Sequence, residues 1–181
     1  MTPFLTLYTP YFKRPHGLLR NFASVQGQTI AAEIEQLVIP DHVGIGIAGM
    51  YARVPLYVDA VHGQYVAFLC DDDILAGPDV VDRLKAAAES EGFPPVLLVQ
   101  TCKGGHVWPA GAWWPPRLAQ IDLNCLIVRA DIWKAHASDY GHSYEGDFAF
   151  AEALYKAGHY TAPVDLLFSI GAVSRGAAEA A

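Results

Sequence analysis

The first hundred residues alternate between two kinds of apolar pattern, and this constrains the fold more than any other feature. "FLTLYTPYF" (4–12), "EIEQLVIP" (33–40), "QYVAFLC" (64–70) and "PPVLLVQTC" (94–102) are short runs with strand character. Between them lie stretches with helical spacing. "GLLRNFASVQGQ" (17–28) places Leu18, Leu19, Phe22 and Val25 on one face. Residues 49–63 are expected to be helical on either side of Pro55, which must kink or restart the helix. Residues 77–92 form the clearest helix, with Pro78 near its start and Gly92 at its end. Strand–helix alternation predicts a mostly parallel sheet with helices on both faces, and ligands of such sheets bind at the carboxyl ends of the strands.

The second half is less regular. Residues 103–120 are rich in Gly, Pro and Trp and are expected to form a loop over a pocket. Residues 121–133 predict a strand leading to a short helix, 145–159 a helix with an acidic start, and 161–171 a last strand. The final "SRGAAEAA" is expected to fray.

At 181 residues the chain suits one domain with one substantial core. With 52% hydrophobic and 17% charged residues it is a globular chain. A net charge of −7 argues against a broad nucleic-acid-binding surface. No run reaches the roughly 18–20 apolar residues that span a bilayer. The N-terminus lacks the marks of a signal peptide. Cys70, Cys102 and Cys125 fit neither a disulfide framework nor a zinc knuckle, so a cytoplasmic setting is the expectation.

The strand ends carry the unusual residues: Tyr11 to Arg14, Asp41, and the triplet Asp71, Asp72 and Asp73. Three like charges at the mouth of a buried strand repel one another and cost desolvation. Such a cluster serves to hold a hard divalent cation, Mn²⁺ or Mg²⁺, which in turn binds phosphate oxygens. The alternative is a solvated turn.

Four segments, in order, resemble the inverting GT-A glycosyltransferases of the family-2 kind. "TPYFKRPHGLLRNFASVQGQT" is similar to the family's opening turn and helix, through Pro10, Arg14, Pro15, Ser24, Val25, Gln28 and Thr29. "EIEQLVIPD" resembles the next strand, whose terminal Asp contacts the nucleotide base; that role falls on Asp41. "YAR" followed by "HGQYVAFLCDDD" resembles the segment leading into the DxD motif. "YEGDFAFAEALYKAG" resembles the later helix that carries the catalytic base, here Asp147. The resemblance spans roughly residues 4–160. It implies a single GT-A-like α/β domain with a mostly parallel central sheet flanked by helices. Residues 1–102 would bind the nucleotide sugar, 103–175 would form the acceptor and catalytic half, and 176–181 a tail.

There are departures. Cys70 stands where the usual first Asp of DxD belongs, so the acidic set is shifted by one. Asp72 becomes the leading metal ligand, Asp71 faces the ribose, and Asp73 serves either. The second strand ends in "PDHVG", and "LLFSIGAVSRG" lacks the late histidine that ligates metal in many relatives.

The chemistry of the residues agrees with what the resemblance implies. Tyr11 or Phe12 can pack on a base, and Asp41 can accept from a base N–H. Arg14 and Arg53 can neutralise phosphate. A cation on Asp72 can stabilise a departing diphosphate. An acceptor hydroxyl needs a base, for which Asp147 is the candidate and Glu145 its rival. Each has a structural alternative: core aromatics, a loop-capping Asp41, surface ion pairs, and an Asp147 that answers the helix dipole. Trp108, Trp113 and Trp114 form either a sugar or acceptor platform or a lid on the core. His106 and His142 are expected at the surface, and Cys70 as a small buried residue.

The expected activity is metal-dependent, inverting transfer of a sugar from a nucleoside diphosphate, most commonly UDP, to a hydroxyl. A nucleotidyltransferase would need a Gly-rich phosphate loop after the first strand, which "TPYFKRPHG" is not. A phosphatase with an aspartyl nucleophile would carry its Asp-x-Asp after the first strand. A non-catalytic sugar-nucleotide or carbohydrate-binding module would have no use for Asp147.

Overall fold

The structure, a computed structural model, describes residues 2–109 and 114–171. Among the described residues, eight strands form one sheet: β1 (Leu5–Tyr11), β2 (Ile34–Pro40), β3 (Tyr65–Phe68), β4 (Asp73–Leu75), β5 (Val96–Lys103), β6 (His106–Trp108), β7 (Leu126–Arg129) and β8 (Thr161–Gly171). The helices are α1 (Pro15–Gln26), α2 (Gly46–Arg53), α3 (Val80–Ser90), α4 (Ala130–His136) and α5 (Gly146–Lys156).

The strand order is β2-β1-β3-β7-β5-β8-β4, with β6 hairpinned onto β5. The strand–helix alternation of the first half gives the expected parallel group: β1 pairs in parallel with both β2 and β3. Beyond β3 the expectation of a mostly parallel sheet gives way to a mixed one. β7 enters antiparallel between β3 and β5, β8 returns parallel to β5, and β4 closes the edge antiparallel to β8. The loop expected over 103–120 begins instead as a hairpin. Gly104 and Gly105, with φ of 63° and 79°, turn the chain so that His106–Trp108 pairs back on β5.

The central strands are apolar runs because both faces are covered. Alternate residues point to opposite layers. Val66 and Phe68 of β3, Val96 and Leu98 of β5, and Leu126 and Val128 of β7 join one core with Trp133 of α4 and Phe150 and Leu154 of α5. Tyr65 and Ala67, Leu97 and Val99, and Ile127 face the other core, with Val25 of α1 and Val80, Val81, Leu84 and Ala88 of α3. Pro55 acts as expected: α2 stops at Arg53 and tighter 3-10 turns continue over Val54–Ala60. Among the described residues no helix is long and apolar enough to cross a membrane.

Candidate functional site

Strand β1 lies between its two parallel partners: the chain passes from β1 to β2 on one side and then crosses back past β1 to β3 on the other. In open α/β sheets such a reversal leaves a crevice at the strand ends. Here it opens as a cleft of about 1030 Å³. The residues expected to bind the nucleotide sugar, hold a cation and act as base all line it. Pro10, Tyr11, Phe12 and Arg14 come from the end of β1, Asp41 from the end of β2, and Arg53 from the end of α2. Asp71, Asp72 and Asp73 follow β3, and Asp147 comes from the first turn of α5.

A polar stripe on α1 holds the acidic turn in place. Gly17, Asn21 and Ser24 follow one another at spacings of four and three residues, hence along one face of α1, and Gln28 follows from the turn just after the helix. A Cβ on Gly17 would lie 2.8 Å from the Asp71 carbonyl oxygen, so the close approach requires glycine. Asn21, fully buried, donates from Nδ2 to the carbonyls of Cys70 and Asp73, both at 2.9 Å. Ser24 Oγ accepts from the Leu75 N–H at 3.1 Å, and Gln28 Nε2 donates to the Gly77 carbonyl at 2.6 Å. The resemblance pointed to Ser24 and Gln28; their work is to clamp residues 70–77.

The three aspartates occupy different environments. Asp71 accepts from the Phe12 N–H at 2.9 Å and from Arg14 at 3.0 Å. Asp72 accepts from the same Arg14 nitrogen at 2.8 Å. Asp73 accepts from Asn124 Nδ2 and lies 3.4 Å from Lys103 Nζ, which also reaches Asp122 at 3.1 Å. Burial pushes the Asp71 and Asp73 carboxyls up from their ordinary values, although Phe12 and Arg14, and Lys103 and Asn124, pull the other way. Burial opposes the charge of Lys103, but the negative groups around it, Asp122 and Asp73 among them, hold its pKa above the ordinary value.

Asp147 accepts from its neighbour's backbone, Phe148 N–H, at 2.8 Å. Burial is the largest influence on it and, with Asp122 nearby, raises its pKa to about 6 despite that hydrogen bond. A carboxylate tuned toward neutrality is what general-base work favours. Its position follows from close packing. Tyr51, Tyr140 and Phe150 stack in sequence at ring separations of 5.5 and 4.1 Å, and the start of α5 is pressed onto that stack. Glu145, the rival base, also lines the cleft but is exposed.

Asp41 caps its own loop: Oδ1 accepts from the N–H groups of Val43 (3.1 Å) and Gly44 (2.8 Å), and Oδ2 from Ile45 (2.7 Å). Against desolvation, these donors hold its carboxyl below the ordinary value. The same loop supports Phe12, because a Cβ on Gly44 would fall 2.9 Å from the Phe12 ring. The tryptophans separate: Trp108 lines the cleft, Trp114 packs edge-on against Tyr155 at 5.9 Å, and Trp113 lies outside the described residues. His106 and His142 are exposed, as expected.

Sequence reasoning missed Lys103, Asp122 and Asn124. Lys103 ends β5, where a lysine closing the run "VLLVQTCK" was a signal of the same kind as Arg14. Asn124 is fully buried, and its position beneath Asp73 appears only once β7 is placed beside β3.

Seven carboxylates line the cleft against Arg14, Arg53 and Lys103, a formal surplus of four negative charges. An anionic phosphate ligand fits such a cleft when a multivalent cation accompanies it. Of the three aspartates Asp72 is the most open: its side chain is 27% exposed, against 5% for Asp71 and 2% for Asp73. Among the described residues no group of three or more ligating side chains converges. A cation on Asp72 would therefore take most of its ligands from water and phosphate, the usual habit of Mg²⁺.

No protein-family model matches the sequence, and no curated protein matches it. Solved structures do match in fold. Residues 1–349 of S. aureus TarS, a glycosyltransferase, in complex with UDP-GlcNAc superpose with a TM-score of 0.72 at 15% identity, covering 95% of this chain and 59% of that one. The corresponding complex with UDP gives 0.69 at 12%, covering 94% and 60%. A197 from STIV gives 0.58 at 11%, covering 89% and 81%. The chain thus spans about three fifths of the TarS fragment. The mixed sheet flanked by helices, with its cleft at the ends of β1 and β3, is the GT-A glycosyltransferase fold.

Proposed function

We propose that this chain transfers a sugar from a nucleoside-diphosphate sugar to an acceptor hydroxyl, with inversion at the anomeric carbon. The observation that carries this reading is the meeting of Asp147, raised to about 6, with the acidic turn 71–73 in one cleft. The TarS complexes with UDP and UDP-GlcNAc support a uridine nucleotide as the donor.

In this reading the base lies against Tyr11 and Phe12, with Asp41 accepting from a base N–H. Asp71 meets the ribose. Arg14, half-exposed, turns from its carboxylates toward phosphate. Arg53 adds a second positive charge to the cleft lining. Asp72, with Asp73 behind it, would hold a divalent cation, which would supply charge neutralisation for the departing diphosphate. Asp147 takes the acceptor proton as the hydroxyl oxygen forms its bond to the anomeric carbon and the bond to the diphosphate breaks. One base and one displacement give inversion.

A thermal-shift panel of nucleotide sugars with and without Mn²⁺ tests the reading. A specific donor stabilises the fold by about 2.7 kcal/mol at a hundred times its dissociation constant. No stabilisation by any nucleotide sugar in Mn²⁺ would overturn it.

A further inference from the structure

At the opposite end of α5 from Asp147, two imidazoles face each other. His136 ends α4, and His159 follows α5. Their Nε2 atoms lie 3.2 Å apart, and the ring centres 5.2 Å apart with planes nearly perpendicular. Asp139 Oδ2 lies 2.7 Å from His136 Nδ1. This cluster has no part in the cleft chemistry.

We infer that His136 and His159 form a two-histidine site for a borderline divalent cation of the zinc kind, with Asp139 as the carboxylate that orients His136. Two nitrogens bound to one tetrahedral Zn²⁺, each at about 2.0–2.1 Å, stand about 3.3 Å apart, with ring centres about 5 Å apart. The observed separations are close to both. Asp139 fixes the proton of His136 on Nδ1 and leaves the Nε2 lone pair facing His159, the arrangement in which metal-bound histidines are commonly held. Without metal, His159 Nε2–H donates to that lone pair. With metal, His159 carries its proton on Nδ1 instead and both Nε2 lone pairs point at the ion.

The frame is rigid. Gly158, at φ 76°, ends α5, and the His159 N–H bonds back to the Leu154 carbonyl at 3.2 Å. His136 is only 19% exposed. Water completes the coordination, and binding would tie α4 to the far end of the helix that carries Asp147.

The test is calorimetry of the full chain, free of any histidine tag, titrated with Zn²⁺ in excess Mg²⁺. Hard oxygen sites are then occupied, and imidazole nitrogen is left for Zn²⁺. Saturable one-to-one binding is expected. It should weaken at least tenfold in His136→Ala and in His159→Ala, and by about tenfold in Asp139→Asn. It should be unchanged in Asp72→Asn, which separates this site from the cleft and from the proposed function. Co²⁺ bound to the wild type should show the visible bands of a tetrahedral nitrogen-containing site, a readout that does not depend on the variants folding. Absence of saturable Zn²⁺ binding, or binding that survives both histidine substitutions, would overturn the proposal.

Discussion

A Cβ placed on Gly146 would lie 2.6 Å from Cγ of Tyr51. It would also lie 2.7 Å from the Tyr140 carbonyl oxygen, so neither a rotamer change nor a small shift relieves it. Gly146→Ala should destabilise the protein by about 1–3 kcal/mol through overpacking. Because Asp147 is the next residue, transfer should fall by more than the loss of stability explains. Urea unfolding and turnover on one preparation check both. Normal turnover in a destabilised Gly146→Ala would mean that the position of Asp147 is not set by this contact.

Asp147 should make stability depend on pH in an unusual direction. Its carboxyl ordinarily titrates at 3.8 and is raised to about 6 in the folded chain. Between those values the folded state holds the proton that the unfolded state has lost. Stability contributed by this group therefore declines as pH rises from about 4 to about 6, and above that the charge is a net cost. Asp147→Asn should accordingly raise stability at pH 7 by roughly 1–2 kcal/mol and leave it nearly unchanged at pH 4. A residue that merely answered the helix dipole would instead lose about 0.3–1 kcal/mol at pH 7 on substitution. Thermal unfolding of both proteins across this range distinguishes the two.

Asp41→Ala removes the acceptor of three loop N–H groups. Nucleotide binding should weaken by about 1–3 kcal/mol. If Asp41 also meets the base, the loss should be larger for UDP than for ADP. Equal losses for all nucleoside diphosphates would confine Asp41 to the loop.

The acidic turn gives a prediction for the cation. UDP should bind more tightly in Mn²⁺ than in EDTA, and Asp72→Asn should remove most of that difference, because an amide oxygen carries no net charge. Equal affinity in Mn²⁺ and EDTA for the wild type would remove the cation from the account. Asp73→Asn should behave differently. It breaks a buried contact with Asn124 and Lys103, so stability should fall with it.

The parallel half of the fold was legible because β1, β2 and β3 are apolar runs separated by stretches of helical spacing, the first marked by Leu18, Phe22 and Val25. The rest was not. Leu126–Arg129 reads as a strand, but an apolar run carries no mark of direction, and its antiparallel place between β3 and β5 depends on partners distant in sequence. β4 and β6 have three residues each, too few for any periodicity. The same limit applied to the site. Asp71, Asp72 and Asp73 stood out because like charges seldom follow a buried strand. Asn124, 51 residues from Asp73, is an ordinary asparagine until the sheet brings it beneath the turn. Asp41 was readable as a strand-end acid, while its three loop hydrogen bonds required the conformation of residues 43–45.

On the proposed function, one cleft binds a nucleotide sugar and deprotonates the attacking oxygen through Asp147. Donor hydrolysis tests it most directly, since water can stand in for the acceptor. Release of the nucleoside diphosphate from the best-binding nucleotide sugar should be measurable with wild type in Mn²⁺. It should be slower by roughly 10²- to 10⁴-fold in Asp147→Asn at unchanged donor affinity, and the wild-type rate should fall below about pH 6 as that carboxyl takes up its proton. Hydrolysis as fast in Asp147→Asn as in wild type, with the same pH profile, would contradict the account.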